Sequence, residues 1–193
     1  MNIGQRAHRL VVEPIDAPSP SAQPPDYAEP IVGWRLWLVV DRREGIRLAS
    51  VTYDVAWPVG QPLEAGCLDR RRSGAAHNEF HGHAAPRDEC QCGIYAVADP
   101  VRLSPYLDTS YPGKDALYRV IGTVALWGIV VAAERGWRGA LAYPSRIFVP
   151  RLSGEADAVA EALHEYDVPV ELLDAGRRTP ATTAELVVAG RSA

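Results

Sequence analysis

The residues with the clearest chemical potential are cysteines and histidines gathered in one polar segment. Three cysteines and three of the five histidines fall within residues 67–92. They are Cys67, His77, His81, His83, Cys90 and Cys92. An odd number of cysteines leaves one thiol over, and a C-x-C pair is too close for an unstrained disulfide. The pattern therefore indicates metal or thiol chemistry in a reducing compartment rather than a disulfide framework.

Zinc is the metal that this donor set favours. Structural zinc sites use Cys3His sets in tetrahedral geometry, and we expect Cys67, Cys90 and Cys92 to supply three thiolates. Three thiolates make the ion a poor Lewis acid, so a structural zinc is favoured over a catalytic one. Two alternatives remain. The cysteines are buried thiols without a metal, or one thiol of the C-x-C pair is a catalytic nucleophile.

Three histidines compete to be the fourth ligand. His83 is preferred because Pro86 stiffens the chain that leads to Cys90. His81 is the second choice and His77 the third, since the spacing alone does not separate them.

Aromatic residues with arginines beside them form a second candidate site. Most of them sit on or beside predicted strands, where filling the core is the simpler interpretation. Trp137 differs because it lies at a predicted turn between Arg135 and Arg138. We expect these three residues to contact a ligand through stacking or an anion contact. The run Arg70–Arg72 could contact phosphate, but a solvated loop is the favoured interpretation.

Familiar catalytic motifs are missing from the sequence. It contains no G-x-x-x-x-G-K-[ST], no G-x-G-x-x-G after a strand, no H-E-x-x-H and no G-x-S-x-G. Nucleotide hydrolysis by a P-loop, Rossmann-type redox chemistry and serine hydrolysis therefore have no support. The question of enzyme or non-enzyme stays open, with the balance toward a non-enzyme.

The amino-acid composition indicates the broad class of protein. The chain has 193 residues, 47% of them hydrophobic, with a net charge of −4, which suits one domain with its own core. An acidic balance does not favour nucleic acid as the partner. No uninterrupted apolar stretch reaches the ~18 residues that a membrane helix needs. We therefore predict a cytoplasmic protein that does not engage a membrane.

The chain divides into three parts. Residues 1–30 are rich in proline and are predicted to be a flexible leader. Residues 31–174 are predicted to form a single α+β domain, and residues 175–193 a loose C-terminal tail.

Alternating apolar residues predict most of the elements. Strands are expected at residues 34–40, 46–53, 92–97, 118–133, 138–143, 147–149 and 168–173. Gly122 is a possible bulge and Gly128 a bend, and Pro144 is expected to end its strand. Short helices are expected at residues 101–107 and 154–166.

This element order predicts an α+β fold. Strands joined by short turns favour a curled, mostly antiparallel sheet or a small β-barrel. A zinc-pinned loop is expected between two of the strands, with one or two helices flanking the sheet.

Three short strings resemble an uncharacterised family of small actinobacterial proteins. They are C-Q-C-G-I-Y-A from Cys90, L-W-G from Leu126 and E-R-G-W-R from Glu134, the last followed by Tyr143-Pro144. The resemblance covers roughly residues 34–150. In that pattern a cysteine and an H-x-x-P element precede the C-x-C, which implies Cys67 and His83 as ligands here. The resemblance implies no activity.

The predicted function is a noncatalytic binding or adaptor module with a structural zinc. It would recognise a protein, peptide or nucleotide through the aromatic and arginine surface, with a protein or peptide as the favoured partner. The alternative is a small zinc- or thiol-dependent enzyme. Four protein ligands on the metal would favour the first, and three ligands with a water the second.

Overall fold

The computed structural model describes residues 29–67, 83–103, 106, 116–151 and 153–174. Residues 1–28 of the predicted leader, the predicted tail at 175–193, His77, His81 and Arg70–Arg72 lie outside these ranges. Within them, the strands are β1 (Ile31–Arg42), β2 (Gly45–Ala49), β3 (Leu63–Glu64), β4 (Ile94–Val97), β5 (Ala116–Ala133), β6 (Gly136–Pro150) and β7 (Val170–Leu173). The α-helix is α1 (Ala156–Leu163), and 3-10 turns cover Pro100–Leu103 and His164–Tyr166.

One mixed sheet contains all seven strands. The three longest strands pair antiparallel in the order β1, β5, β6. Strand β4 pairs with the other edge of β6 and reaches β1 at Trp34 and Val97, so the pairing β1–β5–β6–β4 returns to β1. β2 and β3 add further antiparallel pairs, and β7 is parallel to β6. The predicted α+β class with a mostly antiparallel sheet is confirmed.

The hairpin of β5 and β6 corrects two predictions. Gly128 lies at a register shift, with φ +73°, which confirms the bend. Gly122 is paired regularly on both sides, and the irregularity falls one step later, between Thr123 and Val124. Pro144 does not end a strand, because β6 runs through it at this irregularity. A proline is tolerated inside a strand at a bulge, where a ladder hydrogen bond is already lost.

Other differences are small. β2 ends at Ala49, earlier than predicted, and a 3-10 turn at Pro100–Leu103 stands where the first helix was expected. Strand β3 was not predicted, because two residues are too short for a periodic pattern to show.

The main core lies between the sheet and α1. Helix residues Ala156, Val159, Ala160 and Leu163 are buried, which confirms the predicted apolar stripe. After the helix, the Tyr166 hydroxyl accepts a hydrogen bond from Leu48 N at 2.9 Å and donates one to the Trp57 carbonyl at 2.8 Å. These bonds join the helical end of the chain to β2. Among the described residues, no helix combines the length and apolar character that crossing a membrane would require.

Candidate metal centre

Strand β6 brings the two cysteine segments together. Its edge pairs with β4 over Gly136–Gly139 and with β3 at Leu141 and Ala142. Ala65 N donates to the Ala140 carbonyl at 2.8 Å and extends the β3 pairing toward Cys67. Cys90 and Cys92 stand just before β4. Neighbouring positions on one strand edge therefore place three thiols side by side, although the sequence separates them.

The four predicted ligands converge. The donor atoms of Cys67, His83, Cys90 and Cys92 all lie within 4.8 Å of one another. The sulfurs of Cys67 and Cys90 are 3.6 Å apart, and all three cysteines are free thiols. Two sulfurs of a tetrahedral zinc shell, each about 2.3 Å from the ion, are about 3.8 Å apart. The spacing of Cys67 and Cys90 is close to this value, and the donor set lies close enough together to hold a metal ion such as zinc.

His83 is oriented as a ligating histidine should be. Its Nδ1 lies 3.0 Å from the carbonyl oxygen of Ala84. A carbonyl only accepts, so Nδ1 is the donor in this contact, and in the neutral ring Nε2 would be the nitrogen able to bind a metal. Zinc-bound histidines commonly donate their second ring N–H to a carbonyl in this way.

Arg138 holds the metal loop from inside. Its guanidinium Nη1 donates to the carbonyls of Arg87, at 3.3 Å, and Cys92, at 2.9 Å, and to that of Cys90. The side chain is 7% exposed. Arg138 is thus an internal clamp on the C-x-C segment, and its contact with an external ligand stays a prediction. The charged guanidinium donates to three backbone carbonyls of the loop, where an acceptor left without a hydrogen-bond partner would be costly.

Gly93 lets the loop approach β6 closely. It adopts φ +119°, which L side chains rarely tolerate. A Cβ there would lie 3.0 Å from the Cβ atoms of both Arg138 and Pro86. Cys90 N also closes a turn on the Arg87 carbonyl at 3.1 Å. The glycine after the C-x-C pair is therefore favoured by its positive φ, and a side chain there would also crowd Arg138 and Pro86.

Three of the donors have shifted pKa values. Burial raises the pKa of Cys67 to about 12, and its hydrogen bond to Cys90 adds to the effect. The backbone N–H of Cys92 lowers the pKa of Cys90 to about 7. The carbonyl of Ala84 and the thiol of Cys90 raise the pKa of His83. Neighbouring thiolates repel one another, and a divalent cation bound between them would relieve that repulsion and displace their protons.

The other two predicted contact residues lie near the β5–β6 turn. Arg135 is exposed in the turn, while Trp137 is half-buried in β6, where it pairs with Ala96 and Ala132. The indole packs against the main core. The structure therefore begins the strand at Gly136 and places Trp137 within it rather than at a turn tip, while Arg138 lies in a strand as predicted. The inward direction of Arg138 depends on the strand register, because side chains alternate faces along β6.

Comparisons with known proteins found nothing similar. No family model matches the chain, and neither a curated protein nor a solved structure resembles it significantly. The resemblance to an actinobacterial family stays a prediction, and function rests on the site.

Proposed function

We propose that this chain is a noncatalytic binding or adaptor module whose Cys3His centre holds a structural zinc ion. One observation carries the proposal: four protein donor atoms of zinc-binding type lie within 4.8 Å of one another. A structural zinc has four protein ligands, whereas a catalytic zinc keeps one position for water. Four donors from Cys67, His83, Cys90 and Cys92 would complete the shell.

The surroundings of the centre support a structural role. Cys67 is 2% exposed, and the other three donors are half-buried. Arg138 and Gly93 prearrange the loop, and zinc would tie it to the segment that follows β3. Such a cross-link would rigidify the polar segment between β3 and β4, the two strands that both pair with the same edge of β6. Metal binding would then contribute folding free energy rather than reactivity.

The binding part of the proposal concerns the surface around that loop. Arg135 is exposed at the adjacent turn, and Tyr95 in β4 is 47% exposed. The Tyr95 hydroxyl donates to the carbonyl of Gln91, between the two ligating cysteines, at 2.5 Å. A zinc-stiffened loop would thus fix an exposed aromatic residue. The net charge of −4 favours a protein or peptide partner over nucleic acid.

Metal content and coordination test the zinc assignment. We expect one zinc per chain, with X-ray absorption showing three sulfur neighbours and one nitrogen neighbour at about 2.0–2.3 Å. His83→Ala should lose that nitrogen signal. His164→Ala is the matched control, because His164 is exposed at the end of α1. Three protein ligands with a bound oxygen would instead support the zinc-enzyme alternative, and no retained metal would contradict both.

Partner capture tests the binding surface. Arg135→Glu reverses an exposed charge without touching the metal loop, so captured proteins should be lost while zinc content stays the same. Glu155→Arg, at the start of α1 and also exposed, is the control. If Arg135→Glu retains every partner, the surface at the β5–β6 turn is not the contact.

A further inference from the structure

The edge of β1 carries two partner strands with a gap between them. β4 meets it at Trp34, and β2 pairs from Leu38 onward. Among the described strands, none pairs with that edge at residues 35–37. The side chain of Arg35 crosses this opening. It donates to the carbonyl of Tyr95 in β4, and its Nη2 lies 3.5 Å from the hydroxyl of Ser50, just after β2.

Among the described residues, no carboxylate pairs with the charge of Arg35. None of the ion pairs among the described residues includes Arg35. The side chain is half-buried, and its guanidinium carbon lies 5.2 Å from the centre of the Trp57 ring. Burial lowers the pKa of Arg35 to about 10. A cation withdrawn from water without a counter-charge is costly, and an anion beside it would offset that cost.

Two tryptophans beside Arg35 add unused donors. Trp37 is 0% exposed and Trp57 1% exposed, and their rings meet edge to face at 5.5 Å. Within the described part of the chain, the buried side-chain nitrogens that lack a hydrogen-bond partner are Arg35 Nε, Trp37 Nε1 and Trp57 Nε1. More than nine in ten buried polar groups normally have a partner. Three unpaired donors on neighbouring side chains call for an acceptor.

We propose that this opening, the β2–β4 gap formed by Arg35, Trp37, Ser50, Trp57 and Tyr95, binds a small oxyanion. Arg35 supplies the charge, and the indole N–H groups supply neutral donors to the carboxylate or phosphate oxygens. The site is separate from the metal centre, and it extends the proposed binding function to a small-molecule ligand.

The size and charge of the gap restrict the chemical class of ligand that it can bind. An uncharged ligand would leave the guanidinium unbalanced. Nucleic acid fits poorly, because the opening spans three residues of one strand and the chain is acidic overall. A single carboxylate or phosphate group, on a small molecule, has the charge and the acceptors that these donors match.

Indole resonances give a direct test on the full, zinc-loaded chain labelled with nitrogen-15. Sodium phosphate and sodium acetate are titrated separately, with sodium chloride at matched ionic strength as the reference. The chain has five tryptophans, and we expect saturable shifts of the Trp37 and Trp57 indole N–H signals alone. The variants Trp37→Phe and Trp57→Phe assign the two signals. A response to one anion or to both identifies which oxyanion source the site accepts.

Arg35→Met is the decisive variant. Loss of a charged donor should weaken binding about tenfold to a hundredfold, and loss of one indole N–H in Trp57→Phe about fivefold. Arg151→Met is the matched control, since Arg151 already pairs with Asp157 and Asp174, and it should bind as the wild type does. The proposal is overturned if neither anion moves the two signals beyond chloride, or if Arg35→Met binds equally well. This outcome does not depend on zinc, which is measured separately.

Discussion

The candidate metal centre is built from side chains that offer lone pairs, whereas the β2–β4 gap is built from side chains that offer N–H groups. At the centre, three sulfurs and a histidine nitrogen lie within 4.8 Å, an arrangement that suits a cation. At the gap, one guanidinium nitrogen and two indole nitrogens are buried without acceptors among the described residues, an arrangement that suits an anion. β4 adjoins both regions, since it follows Cys92 and its Tyr95 carbonyl accepts from Arg35.

Two arginines show what the difference means. Arg138 is buried and spends one nitrogen on three backbone carbonyls, so its role is internal. Arg35 is half-buried and keeps an unpaired nitrogen. The same residue type therefore clamps a loop in one region and remains available in the other. The difference depends on whether the N–H donors of each arginine already have acceptors within the protein.

The largest effect is expected from removing the metal. If zinc is held at about a thousandfold above its dissociation constant, chelation lowers the free energy of unfolding by about 4 kcal/mol. The melting temperature should fall by roughly 10 °C. The sheet should persist, because its core lies apart from the metal loop. Circular dichroism during thermal unfolding measures both.

Rescue provides the control for that experiment. Added zinc should restore the wild type but not Cys90→Ser, which lacks one thiolate. An unchanged melting temperature after complete chelation would contradict a structural metal.

Arg138→Met should have the next largest effect. Three carbonyls around the loop lose their donor, so we expect zinc affinity to fall about 10- to 100-fold. The free energy of unfolding should drop by about 3 kcal/mol. Competition with a chromogenic chelator measures the first and urea unfolding the second. Arg135→Met, three residues earlier and exposed, should change neither zinc affinity nor the free energy of unfolding. Equal losses in both variants would contradict the role of Arg138 as a clamp on the loop.

Tyr166→Phe removes a hydroxyl that holds Trp57 of the β2–β4 gap and leaves the candidate metal ligands unchanged. Its hydroxyl bridges Leu48 and Trp57, so the variant buries an unpaired N–H and an unpaired carbonyl. We expect a loss of about 1–3 kcal/mol in urea unfolding and weaker phosphate binding, with zinc content unchanged. Tyr53→Phe, at an exposed position, serves as the comparison.

The same variant carries a pH signature. Burial raises the pKa of Tyr166 to about 12, above its ordinary value near 10. The stability supplied by the neutral phenol is complete below pH 10 and is lost as the pH rises toward 12. The stability difference between wild type and Tyr166→Phe should therefore shrink across that window, by about 2–3 kcal/mol at most. A constant difference would mean that the phenol does not resist ionisation.

Arg35→Met should have the smallest effect on stability and the opposite sign to Arg138→Met. Replacing an uncompensated buried cation with an apolar side chain is neutral or stabilising, so we expect the free energy of unfolding to rise by about 1 kcal/mol. Urea unfolding at low phosphate measures it. A loss as large as that of Arg138→Met would show that Arg35 is structural.

The two regions also differ in how far the sequence could predict them. Cys67, Cys90 and Cys92 are close in the chain and chemically distinctive, so residue types and spacing indicated a candidate metal cluster, whereas the preference for His83 rested on Pro86 and on the family resemblance. The main strands and the apolar stripe of α1 followed from periodicity. Strand β3 and the passage of β6 through Pro144 did not, because both depend on pairing with distant segments.

The sequence by itself determined the chemistry of the metal ligands and the alternation that builds a mostly antiparallel sheet, since both are local properties. Only the tertiary structure decided that Arg138 faces inward. It also brought Arg35, Ser50, Trp57 and Tyr95 to one opening, although Arg35 and Tyr95 are 60 residues apart. Strand register and sheet edges set these relations, and they arise from long-range pairing that no single segment encodes.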